Sequence, residues 1–434
     1  MDHWCNPEKT KIVWFALLFA MLHLAELSYV TTEKLSNRVS YEITGIYKTR
    51  TIQCLIASDY TDPVGYTIEA LMLYIEAEWI TERDLSIETS ILLGSAIRLA
   101  MRMGTHRNSR NYSLTPFQSE MRRRLWAVIY RADILYSFQL SLPPNIRQRD
   151  CDCGLPRNVK NEDFGETTDL PPARPLEEPT EVNYLITKHR LLIVLGNVIE
   201  FVNDNSSLDG KFRELEESLH EARRMIPPYL QLSDPEPTSF DTLGLRMQQI
   251  GLDRVYQLSR CLLHRKFPRR YRNDPATISH RESCISAALI LLSHQSSIFL
   301  DFDSAYPLIV RKRHIFTLMS HDFFIAGMAV ALELQFGFEA EPVSQSPGEV
   351  AFWGYDKRDE MVAALETSTE FWRIAKEESV EAAKAYGLFS LVLRRAVGES
   401  MRGTGDNESR EVTGLNSHID FESLSEMPEF DWVS

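Results

Sequence analysis

The chain lacks the usual sequence marks of catalysis. It has no GxSxG nucleophile elbow, no GxxxxGK[ST] phosphate loop, no GxGxxG dinucleotide turn and no HExxH zinc helix. The closest glycine pair, Gly403-Thr-Gly405, follows no strand. Period-two alternation between turn residues is nearly absent, which argues against a sheet. Positive charge is short: 47 Lys and Arg face 61 Asp and Glu, a formal net charge of −14. That is the wrong sign for binding phosphates over the whole surface, so nucleic-acid contact would need a local basic patch. The six cysteines, at 5, 54, 151, 153, 261 and 284, are too scattered for a disulfide framework and fit buried thiols in a reducing compartment.

What the chain does have is helical periodicity and enough apolar residues, 44% of 434, to bury a large core. Apolar positions recur at three and four residues across 41–57, 66–82, 86–103, 116–140, 181–203 and 243–266. The same spacing covers 278–299, 311–336, 356–376 and 379–397, so the fold class is all-α. Near the start, Lys9 and Lys11 precede the apolar run Ile12 to Leu22, about as long as a signal-peptide core. His23 and Glu26 interrupt it before the roughly 20 residues that span a bilayer, and a buried first helix of a soluble intracellular protein is expected.

Thr115, Pro116 and Gln118 form a helix start: an N-cap, a proline at the first helical position and a capping-box partner. From there Met121, Leu125, Val128, Ala132, Leu135 and Gln139 share one stripe, and Glu120 can pair with Arg124 across a turn. The preceding helix is expected to end at Gly104 in a left-handed cap. From Arg98 to Arg131 there are eight arginines and one acid, Glu120. Arg122, Arg123 and Arg124 spread over about 200° of helix and cannot all face one phosphate backbone. Cross-linking of helices through carboxylates such as Asp133 is the expected role, with nucleic acid or an anionic ligand as alternatives. Asp133 inside the amphipathic helix calls for a cationic partner, expected to be an arginine of an adjacent helix.

No metal or catalytic residue is assigned. Cys151-Asp-Cys153 lacks a matching His or Cys pair, and histidines 106, 189, 264, 314 and 321 stand alone in helical contexts. A helical biosynthetic enzyme such as a degenerate terpene synthase is the alternative from another class. Asn203-Asp204-Asn-Ser-Ser207 begins a magnesium motif, but Lys211 stands where its last carboxylate belongs and no DDxxD exists.

Residues 142–180 hold seven of the twenty prolines and read as a proline-rich connection between a helical part over 1–141 and another over 181–400. Residues 401–434 differ, with eight acids interleaved with Phe421, Leu424, Met427, Phe430 and Trp432. That mixture has the composition of a disordered activation segment.

Several stretches carry a family resemblance in order. They are Gly94 to Arg107 with Gly104 and His106, Ser119-Glu-Met-Arg122-Arg123-Arg124-Leu-Trp126 with Asp133 and Ser137, and Leu155-Pro156-Arg-Asn158. This order resembles the middle homology region of fungal zinc-cluster transcription regulators. Further stretches fit, from Trp14-Phe-Ala-Leu-Leu-Phe-Ala and Asp62-Pro63 to Tyr74 through Leu262-Leu263-His264-Arg265-Lys266-Phe267, where Lys266 replaces the family's proline. Cys284-Ile-Ser-Ala287-Ala288 and Met319-Ser-His-Asp-Phe-Phe complete a resemblance covering about residues 10–400. It implies a non-enzymatic, multi-helix regulatory domain in the nucleus, controlling a metabolic or secondary-metabolite gene cluster, with these residues as scaffold. The family's six-cysteine zinc module is not reproduced by the cysteines present, so no cofactor is expected in this chain. DNA targeting then falls to a missing module, a DNA-binding partner or a homodimer. The tail, through Phe421, Leu424, Phe430 and Trp432, would recruit transcription machinery. A small-molecule effector is the remaining partner implied, and no membrane is.

Overall fold

The computed structural model describes residues 9–30, 38–81, 86–108, 110, 112–166, 171–203, 209–232, 240–270, 277–305, 309–339, 353–377 and 379–402. Phe421, Leu424, Phe430 and Trp432 of the acidic tail lie outside them, as do Asp204 to Ser207 of the magnesium-motif fragment. The described residues form twelve α-helices, three short 3-10 turns and no strand. The helices are α1 (Ile12–Val30), α2 (Arg38–Ala57), α3 (Thr67–Thr81), α4 (Ile87–Arg102), α5 (Pro116–Gln139) and α6 (Asn183–Asn203). Then come α7 (Asp209–Arg224), α8 (Phe240–Arg270), α9 (Ile278–Ala305), α10 (Ile309–Glu339), α11 (Tyr355–Ala375) and α12 (Val380–Arg402). None is long and apolar enough to cross a membrane. Helix α7 is absent from the periodicity reading. Its Phe212, Leu215, Leu219 and Ala222 are buried at spacings of three and four, but charged residues fill most of the other positions.

Local chemistry sets two helix ends cleanly. At the start of α5 the Thr115 side chain accepts from Gln118 N at 3.2 Å, and Gln118 Oε1 accepts from Thr115 N at 3.1 Å. Two otherwise orphaned N–H groups are thereby satisfied. At the end of α4, Gly104 adopts φ +72°, with Gly104 N bonded to Met101 O and Thr105 N to Ala100 O. That is the two-bond glycine stop of a Schellman motif. The Tyr112 hydroxyl packs where a side chain on Gly104 would stand, so this position needs glycine for space as well as for φ.

The chain divides into two compact units. The first comprises residues 1–196, 217–256 and 297–321. In it α1 packs on α2 and α3, α3 on α4, and α4 on α5. Trp79 and Tyr136 form its aromatic centre, ring centroids 4.2 Å apart, and the Tyr136 hydroxyl donates to Ile75 O at 3.5 Å. Each such burial contributes about 1.5–3 kcal/mol. The single apolar stripe expected along α5 is corrected here. Met121 is 43% exposed, whereas Trp126, Ala127, Ile129, Tyr130 and all of Ala132 to Ser137 are buried. The helix is surrounded: Tyr136 meets α3, while Tyr130 and Ile134 pack against Gly196 of α6. One face therefore does not describe it.

The second unit comprises residues 197–216, 257–296 and 322–434. Its α11 packs on α12, and Trp372 and Phe389 of these helices meet Phe324 of α10 at centroid distances of 6.2 and 6.0 Å. Gly327 lets the Phe389 ring approach the α10 backbone, and Trp372 Nε1 donates to Ser368 at 3.1 Å.

Candidate functional site

The arginine-rich stretch is organised around one buried acid. Glu120, with no exposed surface, meets Arg123 at 3.4 Å and Arg124 at 3.2 Å, and its Oε1 accepts from Arg157 N at 3.0 Å. Arg124 also donates to Asn161 Oδ1 at 2.6 Å and Val159 O at 3.3 Å, with its guanidinium 5.0 Å from the Phe164 ring centroid. The Leu155-Pro156-Arg157-Asn158 segment is thus clamped onto α5. Pro156 and Asn158 are buried, and Asn158 Nδ2 donates to Pro175 O at 2.6 Å and Glu178 O at 3.1 Å. The other arginines disperse. Arg122 lies over the Tyr112 ring at 5.4 Å, Arg107 pairs with Asp152 at 3.3 Å, Arg102 with Asp62 at 3.1 Å, and Arg131 with Glu76 at 2.9 Å.

Asp133 is held differently from the expectation. In place of an arginine, Asn145 donates to its Oδ1 through both N (3.1 Å) and Nδ2 (2.9 Å), and Ile146 N donates to Oδ2 at 2.7 Å. The loop after α5 folds back to supply these neutral donors, which sequence periodicity does not reveal. Burial raises the Asp133 carboxyl above its usual value, with the hydrogen bonds from Asn145, Ile146 and Ser137 opposing.

His106 and Trp126 lie with rings 5.8 Å apart, and the His106 carbonyl accepts from Asp152 N at 3.1 Å and Cys153 N at 3.0 Å. Burial and then neighbouring Arg107 hold His106 below the usual imidazole value. Burial first, with flanking acids adding, pushes both the Cys151 and Cys153 thiols up to about 11. Both are protonated near neutrality and poor as nucleophiles. Among the described residues no three His, Cys, Asp or Glu side chains converge as a metal site.

In the second unit the later motifs do come together. His264 Nδ1 lies 3.0 Å from His280 Nδ1, and His264 Nε2 lies 3.6 Å from Glu216. Phe267 stacks on His280 at 4.1 Å. Lys266, at the family's proline position, donates to Phe201 O at 2.7 Å and sits 4.5 Å from the Phe201 ring centroid. Cys284 Sγ is 3.8 Å from Cys261 Sγ, both buried, and Arg265 acts on both electrostatically. Ala287 and Ala288 have no exposed surface. Arg281 pairs with Glu333, which also accepts from Trp353 Nε1 at 2.9 Å.

One group escaped the sequence reading. Tyr184 and Lys188 of α6 lie close to Arg131 of α5 and Arg254 of α8, within electrostatic reach of one another. No motif links residues so far apart in the chain. The only local hint is the spacing of Tyr184 and Lys188 on one helix face.

Residues 12–224 match the fungal specific transcription factor domain, and this stretch belongs to that family. The chain is 31% identical over 398 residues to the Zn(2)-C6 fungal-type transcription factor pigI of Monascus ruber, covering 91% of this chain and 48% of that protein. It is 30% identical to the Zn(2)-C6 fungal-type transcription factor mpsB of Macrophomina phaseolina, covering 99% of this chain and 58% of that one. To the equisetin cluster transcription factor eqxF of Fusarium heterosporum it is 29% identical, over 96% and 60% respectively. The chain thus spans roughly half the length of the curated relatives it matches. No solved structure matches it.

Proposed function

We propose that this chain is the regulatory portion of a fungal transcription regulator that acts in the nucleus and controls a secondary-metabolite gene cluster. The observation that carries the reading is the domain match over residues 12–224, together with relatives named as transcription factors, one of them for a cluster. The clamp at Glu120 is consistent with it, since arginines matched to carboxylates and carbonyls build a scaffold and leave few free for phosphates. In this reading Gly104, His106, Arg122, Arg123, Arg124, Trp126, Asp133, Pro156, His264, Arg265, Cys284, Ala287 and Ala288 are scaffold. The chain performs no catalysis and uses no cofactor of its own. DNA targeting comes from a DNA-binding module or partner, or through a homodimer. The acidic stretch with Phe421, Leu424, Phe430 and Trp432 contacts transcription machinery, and a small-molecule effector sets the state of the helical body.

Fusing the chain to a heterologous DNA-binding module and reading a reporter gene tests this. Transcription should change relative to the module alone, and deleting 401–434 should reduce activation. A fusion with no effect on transcription in a fungal host would sink the reading, while unchanged activation after the deletion would remove the tail's role.

A further inference from the structure

Lys188 has an unusual partner. One turn after Tyr184 on α6, its ammonium donates to the Tyr184 hydroxyl at 3.1 Å and lies 5.3 Å from that ring's centroid. Among the described residues it has no carboxylate partner, and the charged neighbours acting on it besides the phenol are Arg131 and Arg254. Withdrawing an ammonium from water costs several kcal/mol unless an anion compensates. A neutral phenol compensates poorly.

The surroundings favour a negatively charged guest. Arg131 commits one guanidinium nitrogen to Glu76 at 2.9 Å, and its Nε is buried with no hydrogen-bond partner. Arg254, nearly fully buried, adds positive potential from α8. Gly251 of α8 has no side chain, and the Tyr184 hydroxyl sits 2.7 Å from where its Cβ would stand, so the phenol occupies space that the glycine leaves open. Lys188, Tyr184 and Arg131 are each half-buried as whole residues. All of these residues belong to the first unit.

We propose that Lys188, Arg131 and Tyr184 form a binding site for a small oxyanion, a carboxylate or a phosphate group. The anion accepts hydrogen bonds from Lys188 Nζ and the Tyr184 hydroxyl and lies beside Arg131 Nε. Electrostatics agree. Burial raises the Tyr184 phenol, but Lys188, Arg254 and Arg131 together outweigh it and hold it below its usual value. Burial lowers the Lys188 ammonium, and an anion would raise it again. Calling the bound anion an effector rests on the regulatory reading above; the binding site does not.

Calorimetric titration of the full chain with inorganic phosphate and, separately, malonate tests the site. The wild type should bind at least one, and Lys188→Met should weaken binding about tenfold or more, the loss of one charge-assisted hydrogen bond. Tyr184→Phe should weaken it less, and Lys160→Met, at an exposed lysine beside Glu162, should leave it unchanged. Tighter phosphate binding assigns a phosphate-bearing ligand, and tighter malonate binding a carboxylate. Ultraviolet titration adds a readout that mere structure would not move: the bound anion should shift Tyr184 ionisation to higher pH in wild type and not in Tyr184→Phe. If neither anion binds, or if binding survives Lys188→Met unaltered, the site is overturned. If the anion binds through Lys188 but its addition leaves the tethered reporter unchanged, the site stands and its effector role falls.

Discussion

The clamp at Glu120 and the cluster at Lys188 bury charge in opposite ways. At Glu120 one carboxylate meets two guanidinium groups and a backbone N–H, so every oxygen has a donor and the loop after Pro156 is fixed to α5. At Lys188 an ammonium meets a phenol, with further cations nearby. The same helix, α5, serves both, with Glu120 and Arg124 within its first three turns and Arg131 farther along. Density of arginine therefore says little about role. What decides is whether each cation has found its anion inside the fold.

The largest effect is expected at the clamp. Glu120→Gln should destabilise the chain by about 3–5 kcal/mol, because it leaves Arg123 and Arg124 half-buried without their anion. Urea unfolding measures it, and a change below about 1 kcal/mol would remove the clamp from the scaffold. Next comes pH. His189, beside Lys188 in sequence, is buried as the neutral ring, its pKa driven down to about 4 by burial. The unfolded chain titrates near 6.5 and so binds more protons than the folded one between those values. Stability should therefore be lost as pH falls from about 6.5 toward 4, by on the order of 3 kcal/mol, and His189→Gln should flatten that segment of the profile.

Smaller effects sharpen the contrast. Lys188→Met should leave the unfolding free energy unchanged or raise it by about 1 kcal/mol, the reverse of Glu120→Gln, because it removes a cation that has no anion. A loss of more than about 1 kcal/mol would make Lys188 part of the scaffold instead. Smallest is Thr115→Ala, expected to cost about 1 kcal/mol through the lost capping bond at the start of α5. Thermal unfolding of the same variants should keep this order.

What the sequence could reveal was local or periodic. Thr115, Pro116 and Gln118 act within one helical turn, and Gly104 acts through its own φ, so both helix ends were legible. So was the i, i+4 pairing of Glu120 with Arg124. Asp133 was not, because its donors sit in the irregular segment after the helix, where no period applies. Helix α7 was hidden by its charge, although the spacing of Phe212, Leu215, Leu219 and Ala222 carried the signal. The Lys188 cluster gathers side chains from α5, α6 and α8, and only the folded chain brings them together.

The scaffold role of the arginines is tested most directly by a double-mutant cycle in urea with Glu120→Gln, Arg124→Gln and both together. The paired burial seen here predicts a coupling energy of about 1–3 kcal/mol between the two positions. Additive losses, with no coupling, would contradict it and free Arg124 for some other partner.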